Sequence, residues 1–330
     1  MTEGTDMKKF IITIDTEFDN GWQWQYGDPI TTANAAYIPR FQELCEKYGF
    51  IPTYLITYEF AQDQGFVDYM KPKQLEGKCE IGLHPHAWNI PPLYDLQPRT
   101  DGTPGYVFLK EYPAEIIYQK LKALKDEITR QFGREPVSHR AARWGMDQTY
   151  FAQLDRCGVP YDCSVTPFMD WTGAKGRTEN SCGPNYVNHP RKAYHVTGTG
   201  ILEVPMTVCM DHRFTLNEGG NTSKKRNIKN FIRAMKGKKA LWLRPEGDNL
   251  ADLLYIVDQA RKHKADYLMF MLHSSEMMPG GSPTFDTPEK IEKLYENLDI
   301  LFREISRDFE GISLADYGKL MEEKRLNTFS

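Results

Sequence analysis

Two kinds of hydrophobic pattern alternate along the chain. Short runs of apolar, often β-branched residues predict buried strands, whereas apolar residues that recur every three or four positions predict amphipathic helices. Strands are predicted at 10–14, 51–57, 79–83, 137–142, 161–165, 201–205, 241–244 and 267–272. Helices are predicted at 38–48, 66–70, 113–132, 147–157, 228–235, 251–263 and 287–308, followed by a short segment at 312–314 and a final helix. Because strands and helices alternate without a break in composition, we expect one α/β domain over residues 10–330, and this number of strands favours a barrel over an open sheet.

Two long stretches interrupt this alternation. Residues 89–112 carry four prolines, and residues 167–200 are rich in Gly, Asn and Pro. Loops of this length inside a compact domain are more often binding loops than linkers. We therefore expect both loops to border a functional site.

Composition excludes several classes of protein. The chain has 330 residues, 40% of them hydrophobic, and a formal net charge of -4, so no nucleic-acid-binding surface is expected, and the basic residues 224–226 are interpreted as a solvent-exposed helix start. No apolar run is long enough to span a bilayer, and the polar residues 1–9 predict a flexible N-terminus without a secretory signal, hence a cytoplasmic protein. Six scattered cysteines predict reduced thiols. The oligomeric state stays open.

Three carboxylates follow the first predicted strand. Asp15, Glu17 and Asp19 lie two residues apart, so on an extended chain their side chains point to the same side. Like charges crowded in this way repel unless a cation or a proton relieves them. The stretch therefore indicates either a cation site or three solvated acids in a surface loop.

Histidines follow two other predicted strands. His84 and His86 come after the strand at 79–83 and, being two residues apart, can face one tetrahedral metal, although the pair alone fits two hydrogen-bonded histidines equally well. A carboxylate from a neighbouring strand end would complete the ligand set of a hydrolytic zinc site with an open position. His273 ends the most apolar strand, where it is a general acid, a ligand or a core histidine.

These residues resemble the motifs of a known family, the polysaccharide deacetylases. This is the carbohydrate esterase family that includes the chitin and peptidoglycan deacetylases. Five segments between residues 10 and 275 fall in the order of that family's five motifs: Asp15 to Glu17, Glu80 to His84, Arg140 to Gly145, Asp170 with Trp171, and Leu272 with His273. The resemblance implies a distorted barrel of seven β/α units, a (β/α)7 barrel, with a divalent metal, usually zinc. It also implies hydrolysis of an N-acetyl or O-acetyl group on a sugar.

The resemblance also implies roles for individual residues. Asp15 would be the general base, His84 a metal ligand and His273 the general acid. On chemical grounds, Arg140 near Asp15 would keep this base ionised, and Asp162 or Asp170 would orient Arg140 or His273; the alternative is that these buried arginine and aspartate pairs are structural.

The chain departs from the family pattern at three places. Thr16 stands where the family has a second Asp, with Glu17 one position later, as in a divergent subgroup with an Asp-x-Glu motif. Trp88 stands where the second histidine is usual, which leaves His86 as its only near substitute, and Ala142 replaces a proline. We expect Glu17, in preference to Asp19, to complete the ligand set with His84 and His86.

Aromatic and basic residues near the motifs are candidates for substrate binding. Trp22, Trp24 and Trp88 would either stack on sugar faces or bury themselves in the loop core. Arg143 and Arg244 are also assigned to the substrate, and the segment from Arg244 either lines the pocket or caps the next helix through Asp248 or Asn249.

The sequence and its resemblance thus predict a metal-dependent hydrolase, with zinc as the expected metal, that removes N- or O-acetyl groups from a polysaccharide or from a carrier-linked sugar precursor. A metal-dependent hydrolase of small cyclic amides or imides is the first alternative, because it fits the acids equally well. A non-catalytic carbohydrate-binding barrel is the second alternative, and it would not need Asp15, His84 and His273.

Overall fold

A curled, mainly parallel β-sheet is the centre of the computed structural model, which describes residues 7–19, 21–22, 24, 28–103, 105–213 and 239–329. The strands are β1 (Lys8–Thr16), β2 (Thr53–Ile56), β3 (Glu80–Leu83), β4 (Ser138–His139), β5 (Tyr161–Asp162), β6 (Tyr194–His195), β7 (Leu202–Glu203), β8 (Val208–Met210), β9 (Ala240–Trp242), β10 (Tyr267–His273) and β11 (Phe309–Gly311). In the main sheet they follow the order β10-β1-β2-β3-β4-β5-β7-β6, with β11 beside β1, and only β6 runs antiparallel to its neighbour.

The described residues form eight α-helices, seven of which lie between strands in sequence, while the last follows β11. They are α1 (Ile38–Lys47), α2 (Tyr58–Gln62), α3 (Gln64–Leu75), α4 (Ala114–Phe132), α5 (Gln148–Arg156), α6 (Leu250–Lys262), α7 (Pro288–Ile305) and α8 (Leu314–Phe329). Gly133 ends α4 with a φ of 75°, a left-handed conformation that glycine adopts without strain. Within the described ranges, no helix combines the length and the apolar character needed to cross a bilayer.

Strand β1 shows how side chains divide between the two faces of the sheet. Phe10, Ile12 and Ile14 belong to the apolar core outside the curl, where the ring of Phe10 packs edge-on 5.8 Å from that of Phe302 in α7. The alternate residues Thr13 and Asp15 point to the inside, as the two-residue period of a strand requires. The inner face is therefore polar toward the carboxyl end of β1.

The antiparallel pair β8 and β9 joins the two ends of the curl. The backbone N–H of Leu243 donates to the carbonyl of Thr207 at 3.1 Å, and the N–H of Met271 in β10 donates to the carbonyl of Leu243 at 3.3 Å. These bonds attach β10 to the chain that leaves β7, so the sheet curls into a distorted half-barrel. This architecture confirms the predicted α/β barrel-like fold.

Most predicted elements are present, with three differences. The short helix expected at 66–70 is part of the longer α3 and is preceded by α2. The strand β11, which was not predicted, precedes the segment expected at 312–314, and the loop at 167–200 contains the short strand β6. The helix predicted at 228–235, the basic residues 224–226 and residues 1–6 of the predicted flexible terminus lie outside the described residues.

Candidate active site

The register of the parallel strands brings the polar strand ends together. Asp15 in β1 lies directly opposite His273 in β10. Leu83 in β3 lies opposite His139 in β4, so the residues that follow, His84 and Arg140, leave the sheet at the same level. Four strands thus deliver their motif residues to one carboxyl edge, where parallel α/β folds place their chemistry.

Glu17, His84 and His86 form a cluster that fits a metal ion. One carboxylate oxygen of Glu17 lies 2.9 Å from Nε2 of His86 and 3.7 Å from Nε2 of His84, and the three ligand atoms all lie within 4.8 Å of one another. Ligand atoms that share a tetrahedral zinc ion are about 3.3 Å apart. The cluster therefore needs little rearrangement to hold such an ion, and it contains the three ligands predicted from the sequence.

Hydrogen bonds around the cluster determine the protonation of its possible ligand atoms. Nδ1 of His84 lies 3.0 Å from the carbonyl of Arg140, which can only accept, so Nδ1 carries the proton and Nε2 is free to bind a metal. Burial opposes ionisation of Glu17, but His84 and His86 outweigh it and hold the pKa of Glu17 well below its usual value. The donor set of two imidazole nitrogens and one carboxylate thus fits a hydrolytic zinc site.

Asp15 is held by the buried Arg140. Nη1 of Arg140 donates to Oδ1 of Asp15 at 2.6 Å, while Nη2 donates to the hydroxyl of Thr13 at 2.7 Å. Burial raises the pKa of Asp15, but the Arg140 guanidinium and the neighbouring His84 and His273 lower it by more, so that the pKa lies below its usual value. The other oxygen, Oδ2, remains on the cavity side, 3.8 Å from Nε2 of His273.

His273 is oriented by Glu276, which the sequence interpretation missed. Oε2 of Glu276 lies 3.1 Å from Nδ1 of His273 and also accepts the backbone N–H of His273. Arg244 donates to the other oxygen, Oε1, at 2.9 Å. Burial and the Arg244 charge lower the pKa of His273, but Glu276 and Glu17 outweigh them, so the pKa is raised. The sequence did contain a signal for this pair, because Glu276 follows His273 by only three residues.

Two predicted acids lie outside this constellation. Both carboxylate oxygens of Asp19 are occupied in the adjoining loop, where they accept the hydroxyl of Thr31 and the backbone N–H of Ala33. Asp170 accepts the backbone N–H and hydroxyl of Thr172 and does not line the cavity. The expectation that Asp19 could be a ligand and that Asp170 orients Arg140 or His273 is therefore wrong in this structure, because local loop contacts take up both carboxylates.

Asp162 also has another partner than expected. Its Oδ1 lies 2.6 Å from Nδ1 of His139, whose Nε2 lies 2.8 Å from the hydroxyl of Tyr150. Burial raises the pKa of the neighbouring Glu203 well above its usual value, and the charge of Asp162 raises it further. This buried network lies behind Arg140 and does not orient His273.

The catalytic candidates open into a cavity of about 430 Å³. Aromatic residues form much of its wall: Phe18, Trp22, Trp88, Tyr106, Trp144 and Trp171. Trp22 is 48% exposed and lies edge-on 5.7 Å from His273, whereas Trp24 stacks on Trp88 and does not line the cavity. Arg143 and Arg244 also line it, as do Asp15, Glu17, His84, His86 and His273.

Comparisons with known proteins identify the fold. No protein-family model and no curated protein sequence matches the chain. A structure assigned as a polysaccharide deacetylase from Mycobacterium smegmatis matches 97% of this chain and 93% of its own, with 13% identity and a TM-score of 0.52. A 4-alpha-glucanotransferase from Thermococcus litoralis matches 95% of this chain and 40% of its own, with 12% identity and a TM-score of 0.55.

A branching enzyme of glycoside hydrolase family 57 from Thermococcus kodakaraensis is a third similar structure, matching 94% of this chain and 71% of its own with 9% identity and a TM-score of 0.52. At such low identities these similarities show the fold alone. The predicted resemblance to polysaccharide deacetylases is confirmed at that level. Because the same fold is found in glucan-processing enzymes, the chemistry has to be argued from the residues of the cavity.

Proposed function

We propose that the protein is a metal-dependent hydrolase that removes an acyl group, in the first place acetyl, from the nitrogen of an amino sugar in a saccharide. The observation that carries the proposal is the cluster of Glu17, His84 and His86 beside Asp15 and His273 in an open cavity. A hydrolytic site needs a metal position, a base and an acid around one reacting carbonyl, and these five side chains supply all three.

Glu17, His84 and His86 would hold the metal, and zinc fits this donor set best. When bound there, a zinc ion polarises a carbonyl group and lowers the pKa of water. Glu17 is suited to the position because it is the carboxylate of the cavity that contacts both histidines. Oδ1 of Asp15 accepts a hydrogen bond from Arg140, so Asp15 is better suited to a role other than metal ligand.

Asp15 is placed to act as the base. Arg140 keeps it ionised and fixes its orientation, and Oδ2 on the cavity side can accept the proton of the attacking water. His273 is placed to act as the acid, because Glu276 holds Nδ1 and leaves Nε2 directed into the cavity. An amine is a poor leaving group unless it is protonated, and Nε2 of His273 can donate that proton.

The same geometry disfavours glycosidic bond cleavage, the chemistry of the two glucan-processing neighbours. Glycosidases use a carboxylic acid with a raised pKa as proton donor, opposite a second carboxylate. The cavity carboxyl groups Asp15 and Glu17 both have lowered pKa values, Asp15 through the Arg140 guanidinium and Glu17 through its contacts with His84 and His86. Neither is suited to be that donor, so the site favours acyl hydrolysis.

The form of the cavity favours a saccharide over a small cyclic amide. A cyclic amide needs a narrow, dry pocket, whereas a saccharide needs width and flat rings for its apolar faces. The wall of this cavity is rich in aromatic rings, with Trp22 and Tyr106 about half exposed at its edge. A non-catalytic carbohydrate-binding barrel would use the same rings but has no need of the buried acid, base and ligand groups.

The test combines metal analysis with acetate release. We expect the purified protein to bind about one zinc ion per chain and to release acetate from N-acetylated saccharides, and prior chelation to abolish the release. His84→Ala should lose both the metal and the activity, whereas His189→Ala, an exposed histidine outside the cavity, should retain both.

Two results would contradict the proposal in different ways. Full metal occupancy in His84→Ala would remove the metal from this site. Chelator-sensitive hydrolysis of cyclic imides, with no activity on any N-acetylated sugar, would reject the saccharide substrate but retain the metal-dependent hydrolase.

A further inference from the structure

Arg143 places an unpaired positive charge at the rim of the cavity. Its guanidinium carbon lies 4.9 Å from the centre of the Trp88 ring and 5.0 Å from that of Tyr106. No hydrogen bond or ion pair joins its side chain to another residue in the described part of the chain. The other two arginines of the site, Arg140 and Arg244, are each paired with a carboxylate, Asp15 and Glu276 respectively.

The backbone is strained at this position. Arg143 has a φ of 54° and Trp144 a φ of 60°, so two consecutive residues other than glycine are left-handed, a conformation that side chains other than glycine adopt only at a cost in free energy. Two buried residues hold Trp144 in place. Its ring lies 5.1 Å from the Arg140 guanidinium, and its carbonyl accepts a hydrogen bond from the hydroxyl of Tyr186 at 2.6 Å. The surroundings thus maintain a turn that directs Arg143 to the cavity.

Tyr106, the second aromatic partner of Arg143, is also held in place by backbone contacts. The backbone N–H of Tyr106 donates to the carbonyl of Lys175 at 2.9 Å, which joins the two long loops. A Cβ atom on Gly105 would lie 2.0 Å from the carbonyl oxygen of Gly176, so the loops approach more closely than any larger residue at 105 would allow. Arg143 therefore lies between two positioned rings and is not a freely moving surface arginine.

We propose that Arg143 binds an oxyanion, a carboxylate or a phosphate, on the acylated saccharide, and that the substrate is therefore an anionic sugar. This inference rests on the proposed function. The planar guanidinium donates two parallel hydrogen bonds to an oxyanion, whereas sugar hydroxyls would leave its charge without a counterion. Cation–π contacts with the rings of Trp88 and Tyr106 restrict the guanidinium before a ligand binds, which lowers the entropy lost on binding.

Matched substrates and variants test this proposal. The zinc-loaded protein would be given N-acetylgalactosamine, N-acetylgalactosaminuronic acid, which carries a ring carboxylate, and N-acetylgalactosamine 1-phosphate. Binding by calorimetry and acetate release would be measured for each. Arg143→Asn removes the charge while keeping a residue that tolerates left-handed φ, and Arg143→Lys keeps the charge without the planar fork. Arg191→Gln is the control, because Arg191 also lies over an aromatic ring, Phe168, but does not line the cavity.

We expect one of the two acidic sugars to bind more tightly than the neutral sugar. Arg143→Asn should weaken its binding by about ten- to hundredfold and that of the neutral sugar far less, with Arg143→Lys intermediate. Arg191→Gln should bind all three as the unaltered protein does. The preferred acidic sugar distinguishes a carboxylate from a phosphate. Equal binding of the neutral and acidic sugars, unchanged in Arg143→Asn, would overturn the inference while leaving the hydrolase proposal intact.

A failure of the proposed function gives a different result. Preferential, Arg143-dependent binding of an acidic sugar without acetate release from any of the three would support the anion site and reject acetyl hydrolysis of these sugars. Thermal unfolding of each variant confirms that it is folded.

Discussion

Asp15 and Glu17 lie two residues apart at one strand end, yet they contact different partners. Asp15 is paired with Arg140 and lies opposite His273, whereas Glu17 contacts His84 and His86. This division would separate the proposed base from the proposed ligand set, although both groups are carboxylates on the same segment. The two roles can therefore be tested by one substitution.

Asp15→Asn should remove the base and leave the metal in place. We expect the rate of acetate release to fall by about 100-fold or more, because general base catalysis contributes about 10²–10⁴. Metal content should stay near that of the unaltered protein. Asp170→Asn is the control and should alter neither quantity, because Asp170 is exposed and bonded to Thr172. Loss of the metal in Asp15→Asn would make Asp15 a ligand and contradict the assignment.

The neighbouring strands β5 and β7 carry a pair of buried acids. Asp162 and Glu203 lie opposite each other in register, and Asp162 is held ionised by His139. Burial and the charge of Asp162 raise the pKa of Glu203 well above its usual value, so its carboxyl group keeps its proton to higher pH than an exposed glutamate does.

Glu203→Gln should change how stability depends on pH. In the folded protein Glu203 keeps its proton above about pH 4.3, where a glutamate of the unfolded chain loses it, so rising pH lowers the free energy of unfolding of the unaltered protein. The glutamine side chain of the variant cannot ionise. The variant should therefore gain stability relative to the unaltered protein between about pH 5 and pH 8, measured by urea unfolding. A difference that stays constant over this range would show that Glu203 is ionised in the folded state.

The two long loops, residues 89–112 and 167–200, meet at a close contact between Gly105 and Gly176. Gly105→Ala places a methyl group against the backbone of Gly176 and should push the loop carrying Tyr106 away from Arg143. We expect KM to rise by about three- to tenfold with a smaller change in kcat. Gly173→Ala is the control, since open space surrounds a Cβ atom there. An unchanged KM in Gly105→Ala would separate the Tyr106 loop from substrate binding.

At the scale of the whole molecule, the curl of the sheet brings its two ends together around the cavity. His273 lies on β10 at one end of the strand order. The chain that leaves β7, the last strand but one at the other end, reaches β10 through β8 and β9. The hydroxyl of Thr207 accepts the backbone N–H of Met269 in β10 at 2.7 Å. Closure therefore depends partly on one side chain.

Thr207→Val should weaken this closure. It removes the acceptor of the Met269 N–H and keeps the shape of the side chain, so we expect the free energy of unfolding to fall by about 1–3 kcal/mol. Denaturant unfolding measures the change. Thr172→Val, an exposed threonine, should cost much less. Equal losses in the two variants would mean that the Thr207 bond contributes nothing specific to closure.

The fold and the nucleus of the candidate site could be predicted because their signals are local. Alternation along Phe10 to Asp15 divides core from cavity, and Asp15, His84 and His273 each follow a strand, so parallel strands bring them to one edge. The ligand cluster of Glu17, His84 and His86 could be proposed for the same reason, since residues two apart on extended chain share a side.

Other features depend on how distant segments meet, which no local pattern encodes. Thr31 and Ala33 engage Asp19, and this depends on the return path of a loop. Trp24 stacks on Trp88, and Tyr106 reaches Arg143 only because two loops are joined at Gly105 and Gly176.

The sequence by itself therefore determined the alternating elements, the barrel-like sheet and the strand-end residues, because the two-residue and 3.6-residue periods are properties of neighbouring positions. Only the tertiary structure decided which carboxylate each cation would meet: Arg140 reaches Asp15 across 125 positions, while Glu276 takes the place expected for Asp170 beside His273. Pairing of buried charges is a matter of distance in space, since a buried ion without a partner is costly wherever that partner lies in the chain.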